Sequence, residues 1–188
     1  SRFFQEQTIH SLVYTAPFVA PLAYAGIGLL IVLNRMVRST TVEWGRWVVL
    51  LTMGGMLGNF VLSLCDHAQN GFFMPTEWTG VIAGAAAVGV LTAVLLIPDN
   101  RPLIHLALVV MAAQVAVGLV GFGLHVRANL VNVMPTLWDR FVYGAPAFAP
   151  MLFADVATLA ALGLWALGRA AAPAPAVDGV PRRAVVPS

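Results

Sequence analysis

Residues 103–124 read LIHLALVVMAAQVAVGLVGFGL, a run without a single Asp, Glu, Lys or Arg. As a helix rising 1.5 Å per residue, this run covers about 33 Å, close to the roughly 30 Å hydrocarbon thickness of a bilayer. A helix on the surface of a soluble protein carries a continuous polar face, which this run lacks. The stretch therefore predicts a transmembrane helix.

Four further apolar stretches flank this run, and each is long enough to cross a bilayer: 13–34, 47–65, 79–97 and 145–168. Hydrophobic residues make up 60% of the chain and charged residues only 10%, whereas soluble domains carry about a quarter charged residues. We therefore predict an all-α, polytopic transmembrane helical bundle of about five spans in residues 1–169. The Ala- and Pro-rich residues 170–188 predict a flexible cytoplasmic tail.

The distribution of arginine predicts the orientation, because cationic loops resist translocation. Seven arginines fall on one side of the predicted spans and three on the other: Arg35, Arg38, Arg46, Arg101, Arg169, Arg182 and Arg183 against Arg2, Arg127 and Arg140. This split predicts an N-terminus outside and a C-terminus in the cytoplasm. The arginines are scattered and form no basic run, which argues against nucleic acid as a partner.

Three histidines are predicted to share the outer membrane face, while His105 falls at the inner face. The outer residues are His10 before the first span, His67 after the second and His125 after the fourth; Glu77, before the third span, joins them. Imidazole and carboxylate ligands suit Zn, Cu or Fe. We expect His67, His125 and Glu77 as the first ligands of a metal ion, with His10 as a fourth.

Two further residues are expected around this site. Asp66 could orient His67 from outside the ligand set, and Arg127 could bind an anionic group such as a haem propionate. A second interpretation makes His67 and His125 the axial ligands of a haem b between spans two and four. A third treats the histidines as ordinary residues of the membrane interface. No HExxH or CxxC spacing decides between these interpretations.

Polar side chains also occur within the predicted spans. Asp155 falls about ten residues into the fifth span, near mid-depth, and an ionisable group there is a functional candidate because its burial is costly. If Asp155 faces the bundle, it could pair with Gln114 or Asn59. Such a group could act in a proton relay, bind a quinone or hydroxyl, or form an interhelical hydrogen bond that fixes packing.

Two segments carry a resemblance. Residues 66–78 (DHAQNGFFMPTEW) and 123–129 (GLHVRAN) resemble segments of uncharacterised small bacterial polytopic membrane proteins. The resemblance would cover spans two to four and implies a bacterial inner membrane, with the outer face periplasmic. It implies no activity.

These observations lead to one functional expectation and two rivals. We expect a membrane protein that binds a metal ion or haem, as a subunit of or accessory to a redox or metal-handling system, with the bilayer and other membrane subunits as partners. One rival is a structural scaffold that contacts lipid or pigment in a larger complex, and another is a small transporter. Enzymatic activity stays open, because no residue selects a substrate.

Overall fold

The computed structural model describes residues 21–69 and 71–170, which are helical almost throughout and contain no β-strand. A 3-10 turn, Pro75–Glu77, precedes the third helix. The helices are α1 (Leu22–Met36), α2 (Val42–Gln69), α3 (Trp78–Leu96), α4 (Arg101–Val131), α5 (Leu137–Val142) and α6 (Met151–Ala170). The predicted all-α fold is confirmed.

Four helical segments within the described residues are long and apolar enough to cross a membrane: Val42–Gln69, Pro75–Leu96, Arg101–Val131 and Met151–Arg169. Helix α1 is apolar but shorter. Together they are consistent with a helical bundle of about five spans, as expected of a membrane protein.

The helix bounds differ from the predicted ones at the end of the bundle that contains the α2–α3 connection. Helix α2 continues to Gln69 and α4 to Val131, beyond the predicted ends at 65 and 124, because backbone hydrogen bonding continues after the apolar run stops. The last helix begins at Met151 rather than 145, since residues 147–150 form turns after Pro146. Residues 13–20 of the predicted first span, and the predicted tail from residue 171, lie outside the described residues.

Four of the helices form a ring. Helix α2 packs on α3 and α6, and α4 packs on the same two helices, so α2 and α4 lie diagonally opposite. Helix α1 packs on α2, and Trp44 Nε1 donates a hydrogen bond to Asn34 Oδ1 at 2.8 Å. The centre of the ring is filled by fully buried apolar side chains, the largest being Met56, Leu91, Met111 and Leu164.

Glycines allow these helices to approach closely. A Cβ on Gly118 would lie 2.9 Å from the carbonyl oxygen of Pro150 and 3.0 Å from the amide nitrogen of Ala154. Gly84 packs on Phe60, where a Cβ would lie 3.1 Å from the Phe60 Cα, whereas Gly54 faces open space. In a bilayer, close packing of small residues is a main source of helix association.

Exposed aromatic residues occur at both ends of the bundle. Trp78, Trp138 and Tyr143 are exposed at the end that contains the α2–α3 connection, and Trp47 and Trp165 at the opposite end. Amphipathic rings favour the headgroup layers on either side of the hydrocarbon. The two sets are therefore placed as in a membrane-spanning protein.

Candidate functional site

The lengths of α2 and α4 bring two histidines to one level. His67 lies about 37 Å along α2 from Val42, and His125 about 36 Å along α4 from Arg101, at 1.5 Å per residue. The two helices run in the same direction across the ring. Since the hydrocarbon is roughly 30 Å thick, both imidazoles extend to the headgroup layer when the helices begin at the opposite face.

A glycine-dependent helix end folds the chain back over His67. The Phe72 amide donates to the His67 carbonyl at 3.2 Å, and the Gly71 amide donates to the Ala68 carbonyl at 3.1 Å. These two bonds form the Schellman motif, with Gly71 at φ 70° in the left-handed region that favours glycine. The Phe72 ring consequently lies 6.2 Å from the His67 ring and stacks on Trp78 at 4.1 Å.

The same connection delivers Glu77 to His67. Glu77 occupies the N-cap position of α3, but its side chain makes no capping hydrogen bond. Its Oε2 atom lies 3.7 Å from His67 Nδ1. The Glu77 side chain is 10% exposed and the His67 side chain 23%. Oε2 is buried and has no hydrogen-bond partner among the described residues. The N-terminus of α3 favours a negative charge at this position.

His125 is oriented by the backbone. Its Nδ1 lies 3.0 Å from the carbonyl oxygen of Pro146. Because a carbonyl can only accept, Nδ1 carries the proton, and Nε2 of the neutral ring is left with a free lone pair. The His125 and His67 ring centroids are 6.4 Å apart and nearly perpendicular, at 86°.

Asn129 fixes the residue that precedes Pro146, whose carbonyl His125 contacts. Its Nδ2 donates to the Ala145 carbonyl at 2.8 Å, and its Oδ1 accepts from the Ala145 amide at 2.7 Å. Asn129 is 1% exposed. The predicted fourth span ends at 124 and so leaves Asn129 outside the helix. The signal that sequence reasoning overlooked is the four-residue spacing from His125, which puts both side chains on one helical face.

The remaining predicted members of the outer layer are placed differently. Asp66 lies within electrostatic range of both His67 and His125, but the partner of His67 Nδ1 is Glu77. Arg127 is exposed and, two residues after His125 in an unbroken helix, points to another side of α4. Asp139 accepts from the Thr136 hydroxyl at 2.6 Å in the N-cap of α5. His10 lies outside the described residues.

The polar residues within the bundle do not form the predicted set. Asp155 is exposed on the outer surface of α6, four residues after the helix begins, so it does not face Gln114 or Asn59. Gln114 is 1% exposed and donates from Nε2 to the Ala83 carbonyl at 2.9 Å. Gln114 Oε1 and Asn59 Nδ2 are buried without a partner in the described part of the chain.

His67, Glu77 and His125 carry side chains of the types that ligate metal ions, but they do not form a complete metal site. Among residues 21–69 and 71–170, no three His, Cys, Asp or Glu side chains are grouped closely enough to hold an ion as they stand. The His67–Glu77 separation of 3.7 Å is too long for a hydrogen bond, yet it is near the roughly 3.4 Å between two ligands of one tetrahedral zinc. The unpartnered, buried Glu77 Oε2 is the atom that such an ion would satisfy.

Comparisons with models of protein families, with curated proteins and with solved structures give no match to this chain.

Proposed function

We propose that this chain is a bacterial inner-membrane protein that binds a transition-metal ion at its outer face. His67 and Glu77 are the first two ligands and His125 is the third. The protein serves as a subunit of, or accessory to, a membrane redox or metal-handling system. The N-terminus and the α2–α3 connection face the periplasm, in accord with the arginine distribution.

The unpartnered carboxylate oxygen of Glu77 carries this proposal. A buried carboxylate without a hydrogen bond costs free energy, because it has lost water and gained no partner. An imidazole nitrogen of His67 lies 3.7 Å from it, and imidazole with carboxylate is the donor set of many zinc, copper and iron sites. A divalent ion between the two would satisfy both atoms, in the headgroup layer that ions can reach from outside.

His125 supplies the third donor in this proposal. A histidine that ligates a metal usually donates its other ring N–H to a carbonyl or carboxylate, and His125 Nδ1 already does so to Pro146. Its ring needs to turn toward the His67–Glu77 pair, since the two rings are 6.4 Å apart. Asp66 adds a second negative charge within electrostatic range of both histidines.

A single metal ion is favoured over haem by the crowding around His67. Axial ligation by His67 and His125 would require a macrocycle beside His67, and the Glu77 carboxylate and the Phe72 ring already lie 3.7 Å and 6.2 Å from this imidazole. A bound ion would supply either Lewis acidity or one-electron chemistry, depending on the metal. In this proposal His67, Glu77 and His125 hold the ion, the Pro146 carbonyl fixes the His125 tautomer, and Phe72 and Trp78 limit the access of water.

A role in a larger membrane complex is favoured by Asp155. This carboxylate is exposed on α6, about 21 Å along the helix from Arg169 and one turn from the helix start at Met151, so it lies within the span but near its end. Ionisable groups within a span rarely face lipid. A protein partner covering this face of α6 explains its position. Transport is less favoured, because the core beyond Gln114 is filled by Met56, Leu91, Met111 and Leu164.

Elemental analysis of the gently purified full chain, combined with absorption spectra before and after reduction, tests the proposal. We expect about one equivalent of Zn, Cu or Fe and no Soret band. His67→Ala should lose the metal, whereas His105→Ala, which changes a histidine at the opposite end of α4, should retain it. A Soret band lost in His67→Ala would support haem instead, and a metal-free protein that binds none on addition would refute both.

A further inference from the structure

A pocket lies at the opposite end of the bundle from the histidine cluster, between the start of α4 and the end of α6. Its volume is about 320 Å³, within the range of small-molecule sites. The floor is apolar and includes Ile104, Leu108 and Leu164. The rim carries Arg101, His105 and Arg169, and all three are exposed.

The absence of a side chain at Gly168 leaves room for this pocket. Gly168 lines it, and a Cβ at this position would meet only Ile104 Cγ2, at 3.8 Å. Because that is an ordinary van der Waals distance, a larger side chain can be accommodated here and would project into the empty space. The pocket therefore depends on glycine at 168 for its size, and the fold does not.

The cations of the rim are held in place by two helices. The Arg169 guanidinium lies over the Trp165 ring, 4.6 Å from its centroid, in a cation–π contact. Arg101 and His105 are four residues apart at the start of α4, so they lie on one face of the helix. The described residues at this end of the bundle carry five arginines and two acids: Arg35, Arg38, Arg46, Arg101 and Arg169 against Glu43 and Asp99.

We infer that this pocket binds an anionic phospholipid, with the phosphate between Arg101 and Arg169 and an acyl chain on the apolar floor. Guanidinium groups match phosphate in charge and geometry, and basic pockets between membrane helices are suited to anionic headgroups. The two arginines lie at helix ends, the level of the headgroup layer, while the floor extends toward the hydrocarbon. This site is independent of the metal site at the other face.

Native mass spectrometry of the full chain in detergent tests this assignment. The protein is titrated with phosphatidylglycerol or phosphatidylcholine of identical acyl chains, and each lipid's dissociation constant is measured. We expect the native chain to bind phosphatidylglycerol at least fivefold more tightly. The double variant Arg101→Gln/Arg169→Gln should lose at least fivefold in phosphatidylglycerol affinity and thus abolish the preference.

Two further variants separate the pocket from general surface charge. Arg38→Gln/Arg46→Gln removes the same charge from the same end of the bundle and should leave the preference within twofold. Gly168→Leu removes no charge but fills the pocket, and it should weaken binding of both lipids. Equal binding of the two lipids by the native chain would overturn the assignment. Equal losses of phosphatidylglycerol affinity in the two double arginine variants, or unchanged lipid binding in Gly168→Leu, would also overturn it. Thermal unfolding confirms that each variant is folded.

Discussion

Asn129 and Ala145 exchange two hydrogen bonds, of 2.8 and 2.7 Å, that join the outer end of α4 to the turn before α6. Both bonds are shielded, because Asn129 is 1% exposed. Asn129→Leu should therefore destabilise the protein by about 1–3 kcal/mol, since it leaves the partly buried amide and carbonyl of Ala145 unpaired. Asn132→Ala, which removes one 3.2 Å bond to Met134, should cost less. Thermal unfolding in detergent compares the two variants, and equal melting temperatures would refute the assigned role of Asn129.

Gly118 marks a close approach of α4 to the start of α6. A Cβ would lie 2.9 Å from Pro150 O and 3.0 Å from Ala154 N, and these backbone atoms cannot move without displacing α6. Gly118→Ala should therefore destabilise the fold by about 1–3 kcal/mol. Gly123→Ala is the control, because nothing lies within 4 Å of its Cβ position. Its melting temperature should stay equal or rise, and a comparable fall in both variants would contradict the packing described here.

Two of the buried amide side chains, Gln114 and Asn59, differ in what they contribute to stability. Gln114 Nε2 bonds the Ala83 carbonyl, whereas Asn59 Nδ2 has no partner in the described part of the chain. Replacement of Gln114 by methionine, which is similar in shape, should lower stability by about 0.5–1 kcal/mol. Asn59→Leu should leave the melting temperature unchanged or raise it. If Asn59→Leu lowers the melting temperature as much as Gln114→Met does, then Asn59 Nδ2 has a water or ligand partner.

The orientation of the bundle can be tested with single cysteines in a Cys65→Ala background. Val133 lies in the connection after α4 and is 97% exposed, and Ser39 lies in the connection before α2. If the arginine distribution sets the topology, a membrane-impermeant maleimide added to intact cells should label Val133→Cys and spare Ser39→Cys. The opposite pattern would place the histidine cluster on the cytoplasmic side.

Much of the helical architecture could be predicted from hydropathy, because a bilayer demands apolar runs of about 20 residues with all backbone groups bonded internally. The helix ends could not, since α2 and α4 continue into polar sequence. The late start of the last helix also changes the position of Asp155. A helix that begins at 145, as predicted, places Asp155 about ten residues into the span, whereas the helix begins at Met151, only four residues before Asp155. Whether a lone polar residue faces the bundle or its surroundings depends on helix rotation, which an almost uniformly apolar sequence leaves undetermined.

The candidate site was accessible from the sequence in part. The order of the predicted spans placed His67, Glu77 and His125 in one layer, because alternate connections share a membrane face. Their pairing was not predictable. The contact of Glu77 with His67 depends on the turn at Gly71, and the orientation of His125 depends on Asn129 and Pro146. These are tertiary contacts between segments that no local spacing connects.

Metal binding by the Glu77 variant tests the central claim most directly. The metal-free full chain is titrated with Co²⁺, whose visible absorption reports ligands, in parallel with Glu77→Gln and the control Glu43→Gln, an exposed glutamate at the opposite end of α2. The account predicts about one bound ion in the native chain and in Glu43→Gln, and at least a roughly 100-fold lower affinity in Glu77→Gln, because a ligand matters more than its supporting residues. Equal affinities in all three proteins, or no binding by the native chain, would contradict it.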